Sequence, residues 1–421
     1  MLNRRSIILL FVLSCFILPV FPDISDYNTD EIEHITYKLA QNAQADWLII
    51  GAGPAGIITA GVLMDVGVDP KRITWIDPEF NVGRMGKHYS HVESNNKARE
   101  FVAFINACAT FQECSCPALD KLKQMDPQKP CLLDSIVEPL QCISEYLRTK
   151  VNTKLDSIDR LFFKHGLWYV HTLKNGKCSA QHVVLATGST PRTLNVNSNQ
   201  NVIPLDYALD PATLKSLVHA RDAVGVVGGA HSAILLLKYL STMNVSHIYN
   251  FYRHPISYAI DQGCWAIDQQ GVKGTTGEWA KNVLEKNPPA NITRIQVKDD
   301  AQAASMIAQT NCSKVIYAIG YDRSPLPAIN NTTTISDYDG KTGIIAPRLF
   351  GIGIAFPEHK TDDGHPRHIV GLNCFMDYAL RLVPQWVNDK DLGDQLKRSN
   401  RAQQQIKLLS ALGDLLSIEA L

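Results

Sequence analysis

The chain has 421 residues, of which 45% are hydrophobic and 19% charged, so it is long enough for two or three domains and too apolar for a disordered protein. Lys plus Arg and Asp plus Glu number 41 each, and this balance argues against a polyanionic partner and against nucleic-acid binding.

The amino-terminal segment has the pattern of a targeting sequence. Arg4 and Arg5 precede an uncharged run at residues 6–21, and polar residues return after Pro22. The run is short for a membrane helix of about 20 residues but suits the apolar part of a secretory signal. We expect residues 1–24 to be a signal peptide or a membrane anchor, with the rest of the chain facing away from the cytoplasm. The alternative is a buried strand or helix in a cytoplasmic protein.

Three apolar runs, each followed by a glycine-containing turn, predict the fold. The runs are residues 47–50, 183–185 and 224–227, and their turns are residues 51–56, 186–189 and 228–233. A strand, a tight turn and a helix in this order is the pattern of a βαβ unit. Residues 158–185 alternate strand-like segments with turns, which predicts an antiparallel β-meander. Residues 391–421 are predicted to form a helical tail.

The first turn has the residues that a dinucleotide pyrophosphate requires. Gly51 permits the tight turn, Gly53 lets the backbone approach the phosphates, and Gly56 lets helix and strand pack closely. The helix that follows offers free N–H groups and a partial positive charge. Asp77, at the end of the next strand, is predicted to bind a ribose hydroxyl. The residues predicted to bind this dinucleotide are Gly51, Gly53, Pro54, Ala55, Gly56 and Asp77.

In these features the chain resembles the flavoproteins with two dinucleotide-binding domains, the group of pyridine nucleotide-disulfide oxidoreductases and flavin monooxygenases. The resemblance runs from about Asp46 to Val383. It rests on four segments in the family's order, at residues 51–56, 186–192, 228–233 and 317–321. It implies an α/β fold with two Rossmann-type domains, the second inserted in the first, together with the β-meander. It also implies FAD at the first turn and NADPH or NADH at the second.

The same resemblance implies the domain limits. The FAD-binding domain is expected at residues 45–197 and 315–390, and the NAD(P)H-binding domain at residues 198–314. Thr187 and Gly188 are expected at the crossover between the two. Further cofactor contacts are expected from Gly228, Gly229, Ala230, Ser232, Gly320 and Tyr321.

The second turn departs from the fingerprint. Ala230 stands in place of the middle glycine, so a methyl group lies where the pyrophosphate approaches. Residues 231–233 are similar to the Gln-Ser-Ala of N-hydroxylating monooxygenases. Arg253, at the end of the strand at residues 248–252, is predicted to bind the 2′-phosphate of NADPH. The alternative is a surface arginine and NADH as the cofactor.

The cysteines depart from the pattern of disulfide reductases. Those enzymes carry a cysteine pair beside the flavin, either just after the second strand or in the NAD(P)H domain. Residues 83–90 contain no cysteine, and Cys264 stands alone in the second place. Cys114 and Cys116 lie outside both places and are interpreted as structural. The cysteines at residues 108–142 can carry disulfides in an oxidising compartment.

Two further segments are expected near the flavin. The loop at residues 84–94 is similar in position to flavin-contacting parts of N-hydroxylating enzymes, and Arg84 is its predicted contact. The alternative is that the polar residues of this loop are exposed to solvent. Residues 371–375 are predicted to close the FAD site ahead of a helix at Met376.

The expected function is that of an FAD-dependent oxidoreductase, which takes hydride from NADPH and passes electrons to oxygen as a monooxygenase or oxidase. Its partner is a small-molecule substrate or electron acceptor. One alternative is an NAD(P)H:acceptor reductase on the same scaffold. Another is a flavoprotein that has lost its activity and keeps a structural role, which Ala230 favours. Neither zinc-site spacing nor a Gly-x-Ser-x-Gly turn is present, so no metal site or serine nucleophile is predicted.

Overall fold

The computed structural model describes residues 45–174, 176–194, 201–259, 271–329, 338–362 and 365–388. The predicted signal or anchor at residues 1–24, the tail at residues 391–421 and Cys264 lie outside these ranges. None of the helices in the described part of the chain combines the length and apolar character needed to cross a membrane. The targeting and tail assignments stay predictions.

The described residues form strands and helices that alternate along most of the chain. The strands are β1 Ala45–Ile50, β2 Ile73–Asp77, β3 Glu93–Lys97, β4 Pro130–Leu132, β5 Asn152–Leu155, β6 Ile158–Lys164, β7 Leu167–Thr172, β8 Gly176–Leu185, β9 Ser189–Pro191, β10 Asn201–Val202, β11 Ala223–Val227, β12 His247–Tyr252, β13 Ile292–Gln296, β14 Lys314–Tyr317, β15 Tyr321–Arg323, β16 Ala328–Ile329, β17 Ile344–Ala346, β18 Leu349–Gly351, β19 Glu358–Asp362 and β20 His365–Ile369. The α-helices are α1 Pro54–Asp65, α2 Gly83–His88, α3 Ala98–Asn106, α4 Ala109–Gln112, α5 Pro117–Gln124, α6 Asp134–Arg148, α7 Leu205–Ala208, α8 Pro211–Leu217, α9 His231–Ser241, α10 Gly274–Trp279, α11 Asp300–Gln309 and α12 Leu372–Asn388.

The first sheet is built around β1, whose apolar residues are buried. β1 pairs in parallel with β2 and with β8, so that Trp47 lies between Ile73 and His182. β8 also pairs in parallel with β18, which brings the carboxyl-terminal part of the chain back to this sheet. Within the described residues the strand order is β16-β6-β7-β8-β1-β2-β5, with β18 and β17 attached to β8. The predicted antiparallel meander is confirmed as β6, β7 and β8.

The second sheet is entirely parallel among its described strands. Its order is β10-β14-β11-β12-β13, with the glycine turn at Gly228 directly after the central strand β11. The two parallel units confirm the predicted α/β fold with two Rossmann-type units, the second lying within the chain of the first. The limits given above for the two domains stay predictions.

The chain passes between the two sheets through one antiparallel ribbon. β9 carries it out of the first sheet and β15 carries it back, and the two strands pair with Pro191 opposite Tyr321 and Ser189 opposite Arg323. Arg192 forms an ion pair with Asp322 beside the ribbon. Entry to the second unit and exit from it therefore lie side by side.

Helix α1 is buried on nearly every side. Its residues from Ala55 to Leu63 are buried without exception, and they are apolar or small apart from Thr59. A helix that is apolar all round is covered from more than one direction. α12 packs on α1, and Met376 and Val383 belong to the same core. The N-terminus of α1 is thereby held firmly at the edge of the first sheet.

A group of short helices, α3 to α6, is inserted between β3 and β5. In α6 the residues Ile136, Leu140, Ile143 and Leu147 recur at helical spacing and are fully buried. They pack in the same core as α1. Burial of each such side chain contributes about 1.5–3 kcal/mol, so α6 is firmly attached to the first nucleotide unit.

Candidate functional site

The first glycine turn joins β1 to α1 and admits no side chain at two positions. Gly51 has φ +108°, and a Cβ there would collide with the carbonyl oxygen of Ala186. A Cβ at Gly56 would collide with the carbonyl oxygen of Gly51. Trp75 holds the same carbonyl, because its Nε1–H donates a hydrogen bond of 2.9 Å. The protein's own packing therefore requires both glycines, and α1 starts tightly against the sheet.

Gly53 differs because its surroundings are open. Its φ of −71° and ψ of 179° are available to any residue, and an added Cβ would meet nothing closer than Gly83 Cα at 3.9 Å. Gly53 caps α1 without a side-chain hydrogen bond, and Pro54 opens the helix. The N–H groups of Ala55 and Gly56 consequently have no acceptor within the helix. Open space beside free N–H donors suits a pyrophosphate.

Asp77 lies at the end of β2 and is 8% exposed. Its Oδ2 accepts the N–H of Ala52 at 2.7 Å, and its Oδ1 accepts the N–H groups of Glu79 and Phe80 at 2.8 and 2.7 Å. The carboxylate thus ties the first glycine turn to the loop after β2. A carboxylate offers about four acceptor positions, so one is free for the predicted ribose hydroxyl. Ribose binding by Asp77 stays a prediction.

The carboxyl end of β18 meets that of β8 at the same edge. Ile352 N–H donates to the carbonyl of Leu185 at 3.1 Å. Gly353 has φ +87°, and a Cβ there would lie 2.5 Å from the Cβ of Ala55 at the start of α1. Ligands of parallel sheets bind at this kind of edge. Sequence reasoning missed this segment, although residues 349–353 repeat the signal of an apolar pair followed by Gly-x-Gly.

Thr187 and Gly188, predicted at the crossover, lie just beyond β8. The Oγ1 of Thr187 is buried and has no hydrogen-bond partner. Gly188 and Gly320 have φ of +73° and +94°, and an added Cβ at either would have no atom within 4 Å. A buried hydroxyl without a partner costs roughly 1–3 kcal/mol, which a ligand acceptor or donor would offset.

Asn373 is a second buried polar group without a partner. The residue is 4% exposed, and neither its Oδ1 nor its Nδ2 has a hydrogen bond. It lies in the first turn of α12, which begins at Leu372 and not, as predicted, at Met376. The helix starts earlier because Gly371, with φ +141°, ends the extended segment before it. The carboxamide fits the prediction that residues 371–375 close the FAD site, and together with the open turn it fits FAD.

The second glycine turn repeats the first with one exchange. Gly228 has φ +135°, and a Cβ there would collide with the carbonyl oxygen of Ala318, as at Gly51. Asn250, on β12, donates from Nδ2 to the carbonyl of Gly228 at 2.8 Å. In the first unit Trp75 donates the corresponding hydrogen bond, to the carbonyl of Gly51. The second turn is therefore built by the same backbone packing.

The departure at Ala230 is visible in the structure. Ala230 caps α9, the position that Gly53 holds at α1, and it is exposed with no side-chain hydrogen bond to the helix. Its methyl group stands where Gly53 leaves room. A Cβ at Gly229 would lie 3.2 Å from the Cβ of Tyr252, and Ser232 is half-buried in the first turn of α9. Cofactor binding by these residues stays a prediction.

His231 is the first residue of α9, and its Nδ1 is buried without a partner. Burial, followed by the positive charge of Lys273, lowers the pKa of His231 to about 4. Glu93 opposes this shift, and Lys238 adds to it. The imidazole is therefore neutral at pH 7 beside the second turn.

Residues that sequence reasoning missed hold α9 and α10 against the first unit. Lys238 Nζ and Thr275 Oγ1 both donate to Glu93 Oε2, at 2.6 and 2.5 Å. Lys273 Nζ donates to Asn96 Oδ1 at 3.0 Å. Burial alone would raise the pKa of Glu93, but the hydrogen bonds from Lys238 and Thr275 outweigh it and lower that pKa. Glu93 and Asn96 belong to β3, so the second nucleotide helix lies beside the first unit.

Arg84 and Tyr321, both predicted cofactor contacts, are joined in one network. Arg84 forms an ion pair with Asp206, and its Nε donates to the carbonyl of Ser189 at 3.0 Å. Tyr89 donates to Asp206 Oδ1 at 2.5 Å, and Tyr321 donates to the hydroxyl of Tyr89 at 3.2 Å. Burial raises the pKa of both tyrosines, so both stay neutral at pH 7. The network links α2 to the second unit, and flavin contact by Arg84 and Tyr321 stays a prediction.

Arg253 lies directly after β12, as predicted. It forms an ion pair with Asp300, and the two side chains are 48% and 57% exposed. An exposed pair of this kind contributes about 0–1 kcal/mol, so a phosphate can displace the carboxylate at little cost.

Residues 45–336 match the sequence profile of the family described as pyridine nucleotide-disulphide oxidoreductase. The chain belongs to this family. It is 29% identical over 386 residues to AgnR1, a monooxygenase of Paecilomyces divaricatus, covering 81% of this chain and 97% of the relative.

Two solved structures share the fold of this family member. A flavin-containing monooxygenase from Stenotrophomonas maltophilia has a TM-score of 0.55 at 15% identity, over 82% of this chain and 98% of the other. The bacillithiol disulfide reductase of Staphylococcus aureus has a TM-score of 0.56 at 11% identity, over 83% and 99%. With the family shown, the protein is a flavin-dependent oxidoreductase whose cofactors are FAD and NAD(P)H.

Gly53→Ala is expected to weaken FAD binding at least about tenfold, or ~1.4 kcal/mol, because the methyl group fills the side on which phosphate approaches. The unfolding free energy of the apoprotein should change by less than about 0.5 kcal/mol, since the protein leaves room there. Gly56→Ala is the matched control and should destabilise the apoprotein by roughly 1–3 kcal/mol through its collision with Gly51. Flavin-fluorescence titration and urea unfolding measure the two effects. Unchanged FAD affinity in Gly53→Ala would contradict the assignment.

Thr187→Val is expected to leave the apoprotein as stable as the wild type or up to about 1 kcal/mol more stable, because it removes a buried hydroxyl without a partner. FAD affinity should fall by about threefold to tenfold, the loss of one hydrogen bond. The control is Thr172→Val, at a buried threonine whose Oγ1 donates to Gly176 O at 3.1 Å. That variant should lose about 1 kcal/mol of stability and keep its FAD affinity.

The low pKa of His231 predicts a pH dependence of stability. In the unfolded chain His231 titrates near its ordinary pKa of about 6.5, whereas in the folded protein its pKa is about 4. The unfolded state therefore binds more protons between these values, and stability falls as the pH drops from 6.5 to 4. His231→Gln should remove a part of this fall on the order of 2 kcal/mol. Urea unfolding of both proteins at several pH values gives the difference, and parallel curves would refute the assignment.

Proposed function

We propose that the protein transfers hydride from NADPH to FAD and passes the electrons to oxygen, as a monooxygenase or oxidase acting on a small molecule. The observation that carries the proposal is the absence of a thiol from α2 and the two residues after it. The first residue of α2, Gly83, lies beside Gly53 at the first nucleotide turn, and a Cβ there would lie 3.0 Å from Gly53 Cα. Residues 83–90 contain no thiol, although this is one of the two places where disulfide reductases of the family carry their cysteine pair. The monooxygenase relative, which aligns over 97% of its length, supports the same choice.

FAD, when bound, supplies the redox chemistry, and the chain supplies binding, orientation and control of access. The turn at Gly53 offers backbone donors to a pyrophosphate, and Asn373 offers a buried carboxamide to a polar part of the cofactor. The turn at Gly228 offers the same backbone geometry to the nicotinamide dinucleotide. The hydrogen bonds that Lys238 and Thr275 donate to Glu93 keep α9 beside the first unit.

Oxygen use is tested with the FAD-loaded protein in a stopped-flow spectrometer. Mixing with NADPH without oxygen should bleach the flavin absorbance within seconds, and admission of air should restore it with consumption of oxygen. With a candidate small-molecule substrate added, oxygen consumed without an equal yield of hydrogen peroxide indicates monooxygenation of that substrate, and an equal yield with every candidate indicates an oxidase.

The alternatives give different outcomes in the same experiment. Prompt bleaching with slow reoxidation by air and fast reoxidation by a quinone or dye would establish an acceptor reductase. Ala230 favours the alternative of a flavoprotein that has lost its activity, because its methyl group lies on the side of the second turn where phosphate would approach. Failure of both NADPH and NADH to bleach bound flavin would overturn the proposed activity in favour of that role.

Arg253→Ala is expected to raise KM for NADPH by about tenfold or more, because a charged hydrogen bond to the 2′-phosphate is lost. KM for NADH and both kcat values should stay unchanged. Asp300→Asn is the matched control, since it frees Arg253 from its ion pair and should leave KM for NADPH equal or lower. Steady-state kinetics with NADPH and with NADH as the oxidised nucleotide measure KM and kcat for each. An equal change in KM for NADH and for NADPH would show that Arg253 does not recognise the 2′-phosphate.

A further inference from the structure

The helices inserted between β3 and β5 place three thiols in or against the core of the first unit. Cys116 caps α5, Cys142 lies on α6, and Cys114 lies in the loop before α5. Cys114 is buried in the core of the first unit, and Cys116 and Cys142 both pack against that core. Pro117, the neighbour of Cys116, and Cys142 line the same groove. All three are free thiols in this structure. The helices α5 and α6 pack directly on each other, so the cluster lies at their junction.

Other chemistry does not account for this cluster. Within the described residues, no group of His, Cys, Asp and Glu side chains has the arrangement to hold a metal ion. Cys108, in the same insertion, is buried beside Gly61 and Phe111, and Cys131 lies on β4. Cys116 thus has one thiol two residues away in the sequence and another on the helix that packs against its own.

We infer that Cys116 and Cys142 are a dithiol–disulfide pair. Cys116 and Cys142 come from neighbouring helices, so a bond between them joins two packed elements. A bond between Cys114 and Cys116 would have to span Ser115 alone and would join no further element. The pair Cys116–Cys142 is therefore the disulfide that connects α5 to α6.

Formation of the bond needs a two-electron oxidant, and a small disulfide such as oxidised glutathione is of the required class. The Cys116 thiol loses its proton and attacks one sulfur of the oxidant, which releases one reduced thiol and leaves a mixed disulfide on Cys116. Cys142 loses its proton and attacks the Cys116 sulfur, which releases the second reduced thiol. Two protein thiols are oxidised and one small disulfide is reduced.

Helix α6 connects this pair to the flavin-binding turn. Gln141, next to Cys142, donates from Nε2 to the carbonyl of Phe80 at 3.1 Å. The guanidinium of Arg148 lies 4.6 Å above the ring of Phe80. Phe80 and Val82 have φ of 52° and 62°, a conformation that non-glycine residues rarely adopt. The loop after β2 is held in this strained form partly by α6.

A surface groove also runs from α5 and α6 to the loop after β2. It has a volume of about 680 Å³, and residues from both ends line it, among them Asn81 and Gly86 on one side and Pro117 and Cys142 on the other. Gly83, between Asn81 and Gly86, lies against Gly53. A disulfide that fixes α5 to α6 therefore restrains the loop that borders the first nucleotide turn.

The test uses the full-length protein with bound FAD, treated either with oxidised glutathione or with a reductant and then with an alkylating reagent. Peptide mapping without reduction should recover a Cys116–Cys142 link from the oxidised sample of the wild type and of the matched control Cys131→Ser. The link should be absent from Cys116→Ser and Cys142→Ser. Its absence from the wild type, or a Cys114–Cys116 link in its place, would overturn the pairing.

Two further readouts test the coupling to the flavin. Oxidation should raise the Tm of the wild type by on the order of 5 °C and leave the Tm of Cys142→Ser unchanged. Release of FAD on dilution should become at least about threefold slower in the oxidised wild type, because the loop is restrained in its binding conformation. Equal rates of FAD release before and after verified formation of the link would refute the coupling and leave a disulfide that serves only stability.

Discussion

The structure depends on one backbone contact that occurs twice. In each nucleotide unit the first glycine of the turn lies directly against the carbonyl oxygen of an alanine after a neighbouring strand, Gly51 against Ala186 and Gly228 against Ala318. No other residue type fits at either place. The contact starts each helix close to the edge of the sheet, and the free N–H groups of its first turn lie where three strands end. We therefore expect cofactor binding to follow from how each helix is packed.

Two polar side chains of the first unit are buried at a cost to the stability of the protein without cofactor. The hydroxyl of Thr187 and the carboxamide of Asn373 are buried without hydrogen-bond partners. The packing of their elements does not require a polar group at either position. Apolar residues of similar shape would give a more stable apoprotein. We expect FAD to complete these hydrogen bonds, which would link FAD binding to the folding of this edge.

Local signals made the two turns, the meander and the two parallel units predictable from the sequence, because glycine spacing and apolar runs act within a few residues. The rest of the site depends on contacts between distant parts of the chain. Gly353 meets Ala55, and Glu93 meets Lys238, through tertiary packing that no local pattern encodes. The sequence predicts Asn373 ahead of a helix, whereas in the structure it lies inside α12. The start of α12 is set by the conformation of Gly371. Domain limits and cofactor contacts residue by residue stay predictions.

The ribbon of β9 and β15 has a consequence for the order in which the protein folds during synthesis. The second sheet is complete once the ribosome has passed Tyr317, because all its described strands come from one continuous segment. The first sheet must wait for β18 and for α12, which seals α1. We expect the inserted unit to fold first and to hold the two ends of the ribbon together. It thereby shortens the loop that the outer unit must close, and the entropic cost of that closure falls.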